Sequence, residues 1–251
     1  MKTRWQAAAA FTTIAAAAFG AFGLPSASAQ VAPACLNPHC YSIQSYDQPN
    51  SQLTGVFISQ HNNNMNPGGS SAAAPYHITS ETWFTVGNGP DSPTNDYIET
   101  GLLDGYEFWS DGSCHCGAYA MFWADTRGDL NTQWQHTIAN VSPDGTTHSY
   151  QISRGPSPNT WYIFVDGNRV GISTALRSWI GYRMDVGGEL FGPSTSQPGS
   201  FADTFDIYRQ VINANGAHVN WPQESRTHID SGMNGTDYGR IDHWYWNKPR
   251  T

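Results

Sequence analysis

The chain is poor in charge, and above all in positive charge. Of its 251 residues only 13% are charged, with 12 Lys and Arg against 20 Asp and Glu, a formal net charge of −8. So few cations cannot displace the counterions that coat a nucleic-acid backbone, and they offer an anionic lipid surface little attraction. Nucleic acid and membrane are therefore excluded as expected partners. Apolar runs are equally scarce. The first, over residues 7–22, is mainly Ala with some Phe and Ile and is shorter than a spanning helix requires, and no later segment is apolar enough to span. Sustained helical periodicity, internal repeats and a clear domain boundary are also missing. There is no Gly-x-Ser-x-Gly turn, so nothing supports a serine nucleophile.

What the first residues do have is an export pattern. Lys2 and Arg4 precede the apolar run, and Pro25 and Ala27-Ser28-Ala29 close it with small residues where a signal peptidase cuts. The expectation is a signal peptide over residues 1–29, an N-terminal arm with the first strands over 30–79, and the remainder of a single domain over 80–251. The mature protein would be secreted and extracellular. Losing Lys2 and Arg4 would take the 12 basic residues to 10 against 20 acidic ones, a net charge of −10. Four cysteines in an exported chain point to disulfides. They form two close pairs, Cys35/Cys40 and Cys114/Cys116; the second would make a tight ring, so pairing between the two groups stays open. His39 and His115 sit beside them, but the spacing matches no zinc pattern, and neither metal nor cofactor is expected. Asp104, Asp111 and Asp125 likewise form no recognised calcium loop.

The rest reads as strand and turn. Short β-branched and aromatic runs recur at Val56–Ile58, Thr82–Val86, Tyr97–Gly101, Tyr119–Trp123, His148–Ile152, Met184–Leu190, Phe205–Tyr208 and His243–Trp246. The clearest hairpin joins Thr160–Val165 to Arg169–Ile172 through Asp166-Gly167, which supplies the positive φ angles of a tight turn. Residues 60–76, with an Asn run and Gly-Gly-Ser-Ser, read as a loop. Such a chain is all-β, a two-sheet antiparallel jelly-roll or concanavalin-like sandwich, and folds of this kind bow one sheet into a groove.

Two glutamates stand out by their neighbours. Glu99 lies in Tyr97-Ile98-Glu99-Thr100-Gly101, and Glu189 follows Gly187-Gly188, where the missing side chains let another backbone or a substrate come close. Carboxylates among aromatic strand residues are costly to bury unpaired; two that face one another would repel, raise one pKa, and so supply one acid and one base. The alternative is that both face solvent. Trp83, Trp109, Trp123, Trp134 and Trp161 could line a substrate groove, although tryptophan on strands is more often core and three of the five are expected in packing; Trp109 and Trp134, in polar surroundings, are the better groove candidates. Gln197 could donate a hydrogen bond to an oxyanion.

The Tyr-Ile-Glu-Thr-Gly segment resembles the Ile-Glu-Ala-Gly-Trp motif of neprosin-type glutamic peptidases. In the same order along the chain, Ser80-Glu81-Thr82-Trp83-Phe84 is similar to that family's Ser-x-x-Trp-Val strand. Val186-Gly187-Gly188-Glu189 looks like its Gly-Gly-Glu strand, and Ser194 to Phe201 resembles its Ser/Thr-Gln-Met-Gly-Ser-Gly stretch. Cys114, Cys116 and Gly117 fall where the family has a cysteine loop, and the Trp161 to Ile172 hairpin matches its Trp-rich strand and turn. The likeness runs over residues 80–205 and departs from the pattern at Leu102, where the family has Trp. It implies a concanavalin-like sandwich with Glu99 and Glu189 as catalytic dyad, one activating water and the other protonating the leaving amine or steadying the oxyanion. The expectation is a secreted, acid-active endopeptidase, a hydrolase of extracellular protein or peptide, working as a monomer. A glycan-active jelly-roll enzyme or a non-catalytic carbohydrate-binding module, with a polysaccharide partner, is the alternative.

Overall fold

The computed structural model describes residues 39–47, 53–86, 96–108, 114–130, 132–192, 199–221 and 226–250, all within one compact unit. The expected signal peptide, Cys35, Trp109, Asp111 and Gln197 lie outside the described residues. Among those described there is no α-helix; the chain forms two antiparallel sheets packed face to face.

The first sheet runs in the order β15 (Arg226–Ile229), β1 (His39–Asp47), β12 (Gly181–Phe191), β4 (His77–Val86), β5 (Asp96–Phe108), β7 (Ala120–Arg127) and β8 (Thr132–Asn140), with β6 (Cys114–Cys116) pairing the end of β5. The second runs β11 (Asn168–Ser173), β10 (Trp161–Val165), β9 (Thr147–Arg154), β2 (Gly55–His61), β13 (Phe201–Ile212), β17 (His243–Lys248) and β16 (Asn234–Thr236). Two short strands, β3 (Met65–Asn66) and β14 (His218–Asn220), add to β13. This is a jelly-roll sandwich, as the strand pattern implied.

Period-two alternation divides each strand of the first sheet between a core face and an open face. On β4, Ile78, Ser80, Thr82, Phe84 and Val86 turn inward, while Thr79, Glu81, Trp83 and Thr85 turn outward. On β12, Met184, Val186, Gly188 and Leu190 turn inward, leaving Arg183, Asp185, Gly187 and Glu189 outside. The second sheet meets them with Val56, Ile58, Tyr150, Ile152, Trp161, Phe205, Ile207, Trp244 and Trp246, all buried. The tryptophans bring their own partners: the Trp161 indole donates to Ser178 O at 3.0 Å, and Trp246 donates to Ser80 Oγ at 3.1 Å. Trp246 also stacks on Phe205 with ring centres 5.2 Å apart and fills the space that Gly188 leaves, where a Cβ would sit 2.3 Å from the indole. Truncating any one of these indoles to Ala would cost about 3–5 kcal/mol.

One turn follows the sequence closely. Asp166 and Gly167, with φ of 50° and 75°, make the two-residue link between β10 and β11. Cys114 and Cys116 pair with each other, so the cross-pairing left open by the sequence does not occur; Cys40 is itself disulfide-bonded.

Candidate functional site

The open face of the first sheet forms a groove of about 850 Å³. Its floor is built where β12, β4 and β5 run side by side. Glu81, in the middle of β4, lies directly across from Gly187 on β12 and from Gly101 on β5. Two residues along β4 in one direction, Thr79 faces Glu189; two residues in the other, Trp83 faces Glu99. The three glutamates therefore form a diagonal across three strands, with Glu81 at its centre. Diagonal neighbours on adjacent strands are roughly 7–8 Å apart at their backbones. Glu81 is thus next to both of the others, and they are next to each other only through it.

The glycines belong to this arrangement. A Cβ on Gly101 would come within 2.6 Å of the Glu81 Cβ and 2.3 Å of Ser80 O, and one on Gly187 within 2.0 Å of Ser42 O. Glycine on both sides leaves the Glu81 carboxyl in a slot whose flanking positions carry no side chain, and a substrate backbone can approach the floor there.

The three carboxyls have different surroundings. All are buried, at 1% exposure for Glu81 and 7% for Glu99 and Glu189. Burial, followed by the charges of Glu107 and Glu189, pushes the Glu99 carboxyl well above the usual carboxylate range, against the opposing hydrogen bonds from Gln133 and the Trp83 indole. Burial and the charges of Glu99 and Glu189 push Glu81 up in the same way, against an opposing pull from the Thr79 hydroxyl, and its Oε2 is buried without a hydrogen-bond partner. Glu189 instead pairs with the His39 ring nitrogen. Burial disfavours the imidazolium of His39, but the hydrogen bond and charge of Glu189 outweigh it, and its pKa rises above 6.5. Tyr41, across from Glu189 on β1, is kept a neutral phenol by burial and by that carboxylate. The groove thus holds a carboxylate beside a cation, a carboxyl kept protonated, and a third between them. That set can give and take a proton at mildly acidic pH.

Of the residues singled out in the sequence, Glu99, Glu189 and Trp83 line this groove together. Trp134 does not: it alternates with Gln133 and Gln135 on β8, and Gln133 is the one that reaches the groove and donates to Glu99. Trp123 and Trp161 belong to the core. Asp125 accepts a hydrogen bond from Ser173 at 2.5 Å, and no group of metal-ligating side chains occurs among the described residues. Sequence reasoning missed Glu81, His39, Tyr41 and Gln133 as site residues. The signal for Glu81 was its place two residues before Trp83, on the same face of one strand.

No family model matches the sequence, and no curated protein does. Solved structures of low similarity include SCLam, a non-specific endo-β-1,3(4)-glucanase from family GH16, at 9% identity and a TM-score of 0.34 over 78% of this chain and 55% of that one. The chain therefore spans about half of that enzyme. A Bacillus licheniformis β-glucanase matches at 11% identity and a TM-score of 0.36, over 82% of this chain and 69% of that one. Sheep galectin-11 matches at 16% identity and a TM-score of 0.28, over 66% and 95%. Likeness at this level says nothing about substrate or site.

Proposed function

We propose that the protein is a secreted hydrolase that cuts a polymer lying in the groove, with Glu189 as base and Glu99 as acid. The observation that carries this reading is the unequal environment of the two carboxyls on one face of one sheet. The Glu189 carboxylate beside His39 removes a proton from water, whose oxygen attacks the scissile bond. The Glu99 carboxyl, held protonated by its buried surroundings, hands its proton to the departing group. The Tyr41 phenol is a donor available to the developing oxyanion. Acidic pH suits this division of labour, because it keeps both the His39 cation and the Glu99 proton in place. Export is supported by the basic, apolar and small-residue order of residues 1–29 and by the Cys114–Cys116 disulfide.

The resemblance of residues 80–205 to neprosin-type peptidases supports a peptide bond as the target. A second reading, hydrolysis of a glycosidic bond, is favoured by the rings along the groove, Tyr41, Trp83, Tyr97 and Phe108, since sugar faces stack well on such side chains. An acid and a base carboxyl are the general equipment for hydrolysing either bond. Purified protein should be offered a denatured protein and a panel of polysaccharides at acidic pH. Glu99→Gln and Glu189→Gln should each lower turnover by roughly 10²-fold or more while leaving the fold intact. Full activity in either variant would end the reading, and release of reducing ends without new peptide termini would move the substrate to glycans.

A further inference from the structure

We infer that Glu81 is a proton relay between Glu189 and Glu99, resetting the pair after each turnover, an inference that rests on the hydrolase reading above. The reasoning starts from stoichiometry. When water is split across a bond, Glu189 gains a proton from water and Glu99 loses one to the leaving group. The substrate has taken up one water, yet the two glutamates have changed places. The next turnover starts once Glu189 has given up its proton and Glu99 has regained one, by exchange with solvent or by a path inside the groove.

The register decides how it can move. Glu189 lies across from Thr79 and Glu99 across from Trp83, four residues apart on the strand between them. Two diagonal steps of roughly 7–8 Å each separate their backbones, which is long for a direct transfer between their carboxyls. Glu81 stands at the midpoint, diagonal to both. Its side chain is 1% exposed, lines the groove, and keeps Oε2 free of any hydrogen-bond partner. A buried polar oxygen without a partner costs stability unless something else retains it. Gly101 and Gly187 keep the positions beside it clear of side chains. In the relay, protonated Glu81 gives its proton to the Glu99 carboxylate and accepts the one held by Glu189. Glu81 ends as it began, Glu189 is again a carboxylate, and Glu99 is again an acid. The ionisable groups that line the groove with it are Glu99, Glu107 and Tyr97 on β5, Glu189, Asp185 and Arg183 on β12, His39 and Tyr41 on β1, His77 on β4, and Arg226 and His228 on β15. Glu99 and Glu189 bear on it most strongly.

This role separates the first turnover from those that follow. Wild-type protein, Glu81→Gln, Glu81→Asp and Glu99→Gln should be compared on a denatured protein and on a polysaccharide panel, under single- and multiple-turnover conditions. Glu81→Gln should release its first equivalent of product at the wild-type rate, then slow by about 10- to 100-fold, with kcat and KM falling together so that kcat/KM holds, and with Glu81→Asp partly restoring turnover. Equal slowing of the first and later turnovers, or none, overturns the relay while an inactive Glu99→Gln leaves the hydrolase reading standing. An active Glu99→Gln removes the hydrolase reading itself. A second measurement needs no substrate: titration of ¹³C-labelled glutamate carboxyls by NMR. The Glu81 titration should shift when Glu99 is replaced by Gln, and an unaltered Glu81 curve would overturn the relay.

Discussion

His39 shows how much one side chain can hide from a sequence. In the linear chain it stands beside Cys40 and suggests a metal ligand; in the fold it is the counter-ion of a glutamate 150 residues away. Its pKa is raised, so the pair stabilises the folded chain fully below 6.5 and the stabilisation fades as pH rises through the folded value. The His39 side chain is 39% exposed, which screens the interaction to about 0.5 kcal/mol. His39→Gln should therefore unfold more easily than wild type at pH 5 and equally easily at pH 9, in urea titrations at each pH. A difference that persists at the alkaline end would mean packing, not charge, is what His39 contributes. Glu99 and Glu189, by contrast, were legible as site candidates because each lies within two residues of glycine in an aromatic strand. Glu81 was not, because no local feature tells which face of its strand will be open.

That question is settled only between elements. β4 lies between β12 and β5, and β12 comes about a hundred residues later in the chain, so the diagonal of glutamates is a product of strand order that no window of sequence contains. β1 escaped notice for a different reason. Its inward residues include Ser42 and Gln44, both fully buried, so it lacks the apolar alternation that marks a half-buried strand. β8 is an edge strand rich in Gln, Thr and Asn, and its polarity kept it out of the β-branched and aromatic runs. The strands with strong β-branched or aromatic character, such as β10 and β12, were found where they stand. Glycine carries a double message at Gly187-Gly188: the first borders the Glu81 slot, and the second takes the Trp246 ring. Gly188→Ala would push a methyl carbon against an indole 2.3 Å away, from a strand locked between β1 and β4. Overpacking of this kind costs about 1–3 kcal/mol, which thermal unfolding would register as a lower melting temperature. An unchanged melting temperature would show that the Trp246 ring is not held in that slot.

The whole molecule keeps its acidic cluster at a cost that depends on pH. A carboxyl whose folded pKa lies above its unfolded value binds protons more tightly when folded. Stability then falls as pH rises from the unfolded value toward the folded one, and levels off beyond it. Burial places both Glu81 and Glu99 in this class, each well above 4.5. At the acid end the opposite holds for Asp129, Asp144 and Asp166, whose pKa values lie below 3.8 and whose contribution is lost as pH falls through them. The fold should therefore be most stable at mildly acidic pH, where the proposed chemistry also runs. Replacing Glu99 by Gln isolates one part of this effect, since the amide stays neutral at every pH. The variant should match wild type near pH 4.5 and exceed it increasingly as pH rises, each 1 kcal/mol recovered reading as about 2–4 °C in melting temperature. If the two curves run parallel from pH 4.5 to 8, the Glu99 carboxyl ionises as freely in the folded chain as in the unfolded one. The groove would then hold no acid ready to protonate a leaving group.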